Sequence, residues 1–127
     1  MPLLDHDRSA VEDVYKAMQT GPAAEGDLVA LFADDGVLVE PFSGTPRAHT
    51  GRDAIRASLA PMWATRAPDL VLNLDRIDLD GDSVLASWTC TSAMMPGPMR
   101  GRDVLIVRDG KIARLEIVIT EMPQFGG

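Results

Sequence analysis

The sequence predicts an α+β domain, an antiparallel sheet with helices gathered on one face, and three observations lead there. The first half of the chain carries apolar residues at helical spacing in three stretches. The second half alternates with period two through four consecutive segments. Short turns bearing Gly, Asp and Pro join those segments, as a run of hairpins requires. With 127 residues, 46% hydrophobic and 24% charged, the chain suits one soluble domain spanning residues 1–127, with a core large enough to enclose a ligand cavity.

From Ser9 onward, Val11, Val14, Tyr15 and Met18 step by three and four residues, so a helix is expected from Ser9 to about Thr20. A capping box between Ser9 and Glu12 would open it, and Gly21-Pro22 closes it. Asp27 is the expected cap of a second, short helix through Leu28, Leu31 and Phe32. At Gly36 the period becomes two, with Val37 and Val39 alternating with Leu38, Glu40 and Phe42, a strand that Pro41 makes an edge or an end. Ser43 to His49 reads as loop. Thr50 and Asp53 repeat the capping-box signature before Ile55, Leu59 and Met62, the apolar face of a third helix ending between Pro61 and Ala67. Strands are then expected over Asp69 to Leu79, Ser83 to Met95, Met99 to Arg108 and Lys111 to Glu121. Asp80-Gly81-Asp82, Pro96-Gly97-Pro98 and Asp109-Gly110 turn the chain between them.

Nineteen acidic against twelve basic residues give a formal charge of -7, which argues against nucleic acid and anionic membrane surfaces as partners. Cys90 is the only cysteine, so the chain forms no internal disulfide and builds no thiolate metal site. That usage fits a reducing cytoplasm, and the N-terminal residues lack the pattern of a secretory signal. No run approaches the ~20 apolar residues of a membrane span. Neither His6 nor His49 has metal-ligand spacing, and both read as surface residues; no metal and no cofactor is expected.

Three polar residues fall where the periodicity points inward. Tyr15 shares the apolar face of the first helix, as an oxyanion donor or as a core tyrosine with a satisfied hydroxyl. Glu40 is in phase with Leu38 and Phe42. Desolvation on that face would raise its pKa, as a general base near neutral pH requires; the alternative is an edge charge placed against aggregation. Asp103 shares a face with Leu105 and Val107, or else ends its strand in solvent beside arginines. Cys90, between threonines in mid-strand, reads as an inert packed thiol. Phe42, Trp63, Trp88, Met95 and Met99, with Met62 and Met94, can line an apolar pocket for a small apolar molecule, or serve as ordinary core.

The segment DLVALFADDGVLVEP, Asp27 to Pro41, resembles the ketosteroid isomerases of the nuclear transport factor two-like superfamily and their SnoaL-like polyketide cyclase relatives. The likeness extends to VEDVYKAM around Tyr15, GRDAIRA from Gly51 to Ala57 and GRDVLIVRDGKI from Gly101 to Ile112. It implies a cone, a strongly curved sheet wrapped over three helices with an apolar pocket at the open end. By this resemblance Glu40 stands where the isomerases carry their catalytic aspartate before a proline, Tyr15 matches their oxyanion-hole tyrosine, and Asp103 matches the aspartic acid kept protonated beside it. The implied activity is proton abstraction alpha to a carbonyl and allylic isomerisation of a steroid- or polyketide-like substrate. Glutamate for aspartate is a departure, moving the carboxylate by about 1 Å. Two other readings remain: a cyclase or hydrolase of the same superfamily, and a non-catalytic ligand-binding or dimerisation module. The Arg-x-Asp and further Asp of limonene epoxide hydrolase-like sites are missing, since the strands read Ser87-Trp88-Thr89 and Leu115-Glu116-Ile117. A homodimer is expected through the outer face of the sheet at Val104, Ile106, Ile117 and Ile119.

Overall fold

A computed structural model describes residues 5–42 and 44–122; the N-terminal four residues, Ser43 and the last five lie outside it. The first helix, α1, runs Asp5–Thr20, one turn earlier than Ser9. Asp5 and Asp7 occupy its first turn, where acidic groups complement the helix dipole. Asp7 also accepts the backbone N–H of Gly110 at 2.8 Å, which ties the helix start to a hairpin turn. Ser9 is therefore inside the helix and forms no capping box. Val11, Val14, Tyr15 and Met18 are buried, as their spacing requires. Arg66 closes the other end by donating to the carbonyls of Met18 and Gln19.

A 3-10 turn, Pro22–Ala24, leads into α2, Glu25–Ala30, which begins ahead of Asp27. Phe32 belongs to the first strand, β1, Phe32–Glu40, which stops before Pro41 as expected. β1 starts four residues ahead of Gly36, and a register shift between Phe32 and Val37 breaks its early alternation. Residues 47–49, read as loop, form with Thr50 an edge strand, β2, Arg47–Thr50, antiparallel to β1 with Leu38 opposite His49 and Glu40 opposite Arg47. Arg-Ala-His-Thr carries no apolar alternation; the ladder to β1 makes it a strand. Because Thr50 belongs to that ladder, it does not cap α3, Arg52–Ala64, which is preceded by Gly51 at φ 90° with no side-chain cap.

The second half forms β3 Val71–Asp80, β4 Ser83–Thr91, β5 Met99–Arg108, β6 Lys111–Glu116 and β7 Ile119–Glu121. Asp109 and Gly110 both have positive φ, the type I′ geometry expected of an Asp-Gly hairpin. β4 ends at Thr91 rather than Met95. What reads as one last strand is interrupted at Ile117-Val118, and that interruption matters for the site described below.

The sheet is curved and unclosed, in the order β2-β1-β6-β5-β4-β3, with β7 pairing β5. It is mixed rather than purely antiparallel. β1 and β6 run parallel, because the hairpin partner of β1 is β2 and its other neighbour comes only near the chain's end. All other pairs are antiparallel. Side chains on the helix-facing side, among them Phe32, Leu38, Leu105, Ile112 and Leu115, form the core with α1–α3. Ile117 and Ile119, expected on the outer face, continue the inward phase of Leu115: Ile117 is buried and Ile119 packs against the core. Val104 and Ile106 alternate with buried Leu105, so they face outward, half-buried. Among the described residues no helix is long and apolar enough to cross a membrane.

Candidate active site

Between α1, α3 and the concave face of the sheet lies a cavity of about 1090 Å³. Its volume lies just above the range of roughly 300–1,000 Å³ usual for small-molecule sites. All eight residues singled out in the sequence line it: Tyr15, Glu40 and Asp103, together with Phe42, Trp63, Trp88, Met95 and Met99. Phe42, 52% exposed, stands at its mouth. Met62 and Met94 line it as well; Met62, Met95 and Met99 also pack against the core, while Met94 is largely exposed.

Asp103 sits in the middle of β5, opposite Ala86 of β4, and only 2% of its surface is exposed. It does not end its strand in solvent. Three donors converge on its carboxylate. The Tyr15 hydroxyl, brought by α1, donates to Oδ2 at 2.7 Å. The Trp88 indole N–H donates to Oδ1 at 2.8 Å, and the backbone N–H of Val118 to the same oxygen at 3.1 Å.

The last two bonds have identifiable local causes. Val118 lies in the break between β6 and β7, where its N–H is free to turn toward Asp103. Trp88 stands directly across from Gly101, and a Cβ at Gly101 would collide with the indole ring. Glycine is thus what lets the ring lie flat over β5 and reach Asp103. Burial pushes the Asp103 carboxyl up to about 6, against the opposing pull of its Trp88, Tyr15 and Val118 bonds. Burial, then the charge of Asp103 and the bond to it, raises Tyr15 well above the ordinary phenol range, so Tyr15 stays a neutral donor.

Glu40 occupies the end of β1. Its side chain is 12% exposed, and among the described residues each oxygen has one partner: Phe42 N–H donates to Oε1 at 2.9 Å, and His49 Nε2 lies 2.9 Å from Oε2. The raised pKa expected from desolvation is not found. Burial does push the group up, but the bonds from His49 and Phe42, with the charges of His49 and Arg47, outweigh it and hold the carboxyl below its ordinary value.

His49 is the residue that sequence reasoning missed. The sequence reads it as a surface-loop residue, yet it lies on β2 with 16% of its side chain exposed, lines the cavity and touches Glu40. The one available signal was its position within a strand's reach of Glu40 across the Pro41-to-Pro46 turn, which a four-residue polar edge strand conceals. Cys90 also lines the cavity, and burial raises its thiol pKa, as suits an inert packed side chain. Among the described residues no group of three or more His, Cys, Asp or Glu could hold a metal ion.

The order of elements and the curved sheet agree with a match of residues 11–115 to the SnoaL-like domain family model. The chain belongs to the SnoaL-like domain family. Solved structures share this SnoaL-like, nuclear transport factor two-like fold at low sequence identity. A candidate ketosteroid isomerase from Kribbella flavida is 20% identical, with 97% of this chain and 84% of that one covered at a TM-score of 0.70. A candidate polyketide cyclase from Sinorhizobium meliloti is 24% identical over 86% and 93% of the two chains, with a TM-score of 0.69. TerC, co-crystallised with polyporic acid, is 20% identical over 91% and 92%, with a TM-score of 0.73. No curated protein sequence matches the chain.

Proposed function

We propose that this SnoaL-like protein is a cofactor-independent isomerase of an apolar, carbonyl-bearing molecule of steroid or polyketide type. One observation carries the reading: two carboxylates displaced in opposite directions, Glu40 downward and Asp103 upward, open onto one largely apolar cavity beside a neutral tyrosine. Ionised Glu40 accepts the proton alpha to the carbonyl, and the electron pair moves onto the carbonyl oxygen. Tyr15 and protonated Asp103 donate hydrogen bonds to that oxygen. Glu40 then returns the proton to the distal carbon, so nothing is consumed. A base held below its usual pKa is weaker per group but fully available at neutral pH.

The Tyr15 hydroxyl is spent on Asp103. Donation to a substrate oxygen needs Asp103 to take up a proton, which an apolar ligand favours by expelling water from the cavity. Asp103 then becomes a donor, and the Tyr15 proton is released toward the substrate.

The same hydrogen bond favours a second reading, a cavity that binds its ligand without chemistry, in which Tyr15, Trp88 and Asp103 are a satisfied structural cluster. An absorbance assay for conversion of an unconjugated ketosteroid to its conjugated enone separates the two. Turnover by the native protein that is lost in Glu40→Gln supports the isomerase. Ligand binding that is equal in both, without turnover in either, supports the binding module.

The outward residues Val104 and Ile106 on β5, with Leu85 opposite Val104 on β4, are the proposed centre of a homodimer interface. A monomer in sedimentation at micromolar concentration removes it.

A further inference from the structure

A glutamate in place of the isomerases' aspartate adds a torsion between backbone and carboxylate, so it is harder to aim. In this protein two bonds take up that freedom. Phe42 N–H holds Oε1 from the turn that follows β1, and His49 holds Oε2 from β2. The register places them well: His49 is opposite Leu38 and Arg47 opposite Glu40, so His49 and Glu40 are diagonal neighbours on one face of the ladder. An ionised carboxylate can only accept, so the hydrogen between them belongs to His49 Nε2.

We propose that His49 is a positioning residue, which clamps Oε2 while Phe42 clamps Oε1 and thereby fixes Glu40 in one rotamer facing the cavity. This rests on the assignment of Glu40 as the base. Each oxygen keeps a second lone pair, so the clamp leaves room for the substrate's proton. Arg47, directly across the ladder, is the other charged group acting on Glu40.

Three variants test it. In His49→Phe the Glu40 carboxyl, followed by carbon-13 NMR, titrates at higher pH than in the native protein. Turnover of the unconjugated ketosteroid falls on the order of ten- to a hundredfold in kcat, with KM nearly unchanged. His49→Gln, whose amide N–H can reach Oε2, restores most of both. His49→Asn is too short to reach and behaves as the phenylalanine variant does, so it serves in its place if His49→Phe does not fold. A Glu40 titration that stays put in both His49→Phe and His49→Asn overturns the clamp, and so does a kcat that survives in all three variants. If the native protein turns over no ketosteroid, the isomerase reading fails, and the titration alone still decides whether His49 holds Glu40.

Discussion

Asp103 and Glu40 line the same cavity, yet their carboxyl groups are displaced in opposite directions. Both accept hydrogen bonds, and among the described residues Asp103 accepts more of them, three against two. Counting bonds would therefore make Asp103 the stronger acid. It is the weaker one, because its donors are neutral groups and its site is almost fully closed to water. Glu40 has histidine and arginine beside it and some access to solvent. Desolvation wins at the centre of the sheet, and charge with hydrogen bonding wins at its edge.

The largest effect is expected from removing the acceptor at the centre. Asp103→Leu leaves the Tyr15 hydroxyl, the Trp88 N–H and the Val118 N–H buried without partners, at about 1–3 kcal/mol each, so urea unfolding should show a loss of several kcal/mol. Asp103→Asn keeps one oxygen for Trp88 and Val118 and should cost only ~1–2 kcal/mol. An equal loss in the two variants would mean that shape, not hydrogen bonding, holds the centre together.

Next comes Gly101→Ala. Its methyl group displaces the Trp88 ring and draws the indole N–H away from Asp103, an overpacking cost of about 1–3 kcal/mol. Losing a donor should also move the Asp103 titration further up, visible by carbon-13 NMR alongside a change in tryptophan fluorescence. An unmoved titration would show that the Trp88 bond does not contribute to the contrast with Glu40.

The inward trio was legible because period two and period 3.6 place Tyr15, Glu40 and Asp103 on buried faces whatever their chemistry. The hairpins were legible because Asp-Gly dictates its own φ angles. Three features were not. The parallel pairing of β1 with β6 joins residues 77 to 80 apart and leaves no local trace. β2 is a strand only by virtue of β1, and with it His49 was hidden. The partners of Asp103 depend on a strand break at Ile117-Val118 and on the absence of a side chain at Gly101. Local periodicity reports which way a residue points, but not what it meets there.

The pH dependence of stability should show the two carboxylates separately. Asp103 has a folded value of about 6, above the ordinary aspartate value of about 3.9, so between those limits the folded state binds the extra proton. Its contribution to stability is present below about pH 4 and is lost as the pH rises through about 6, on the order of 2–3 kcal/mol. Glu40 has the opposite sign: its contribution is present above the ordinary glutamate value and is lost as the pH falls through its lower folded value. The stability advantage of the native protein over Asp103→Asn should therefore be larger at pH 4.5 than at pH 7 in urea unfolding. An advantage that grows with pH would reverse the sign assigned to Asp103.

The smallest effect should come from Glu40→Gln at neutral pH. Glutamine keeps an acceptor for Phe42 N–H, and its amide can donate to His49 Nε2 once the ring hydrogen sits on Nδ1, at an edge where water substitutes for what is lost. Thermal unfolding should place the variant within about 0.5 kcal/mol of the native protein, although the same change removes the proposed base. A carboxylate that its amide can replace at little cost to folding, in a cavity where the same replacement of the other carboxylate costs more, is not retained for stability; a loss as large as that of Asp103→Asn would instead make Glu40 and His49 a structural pair.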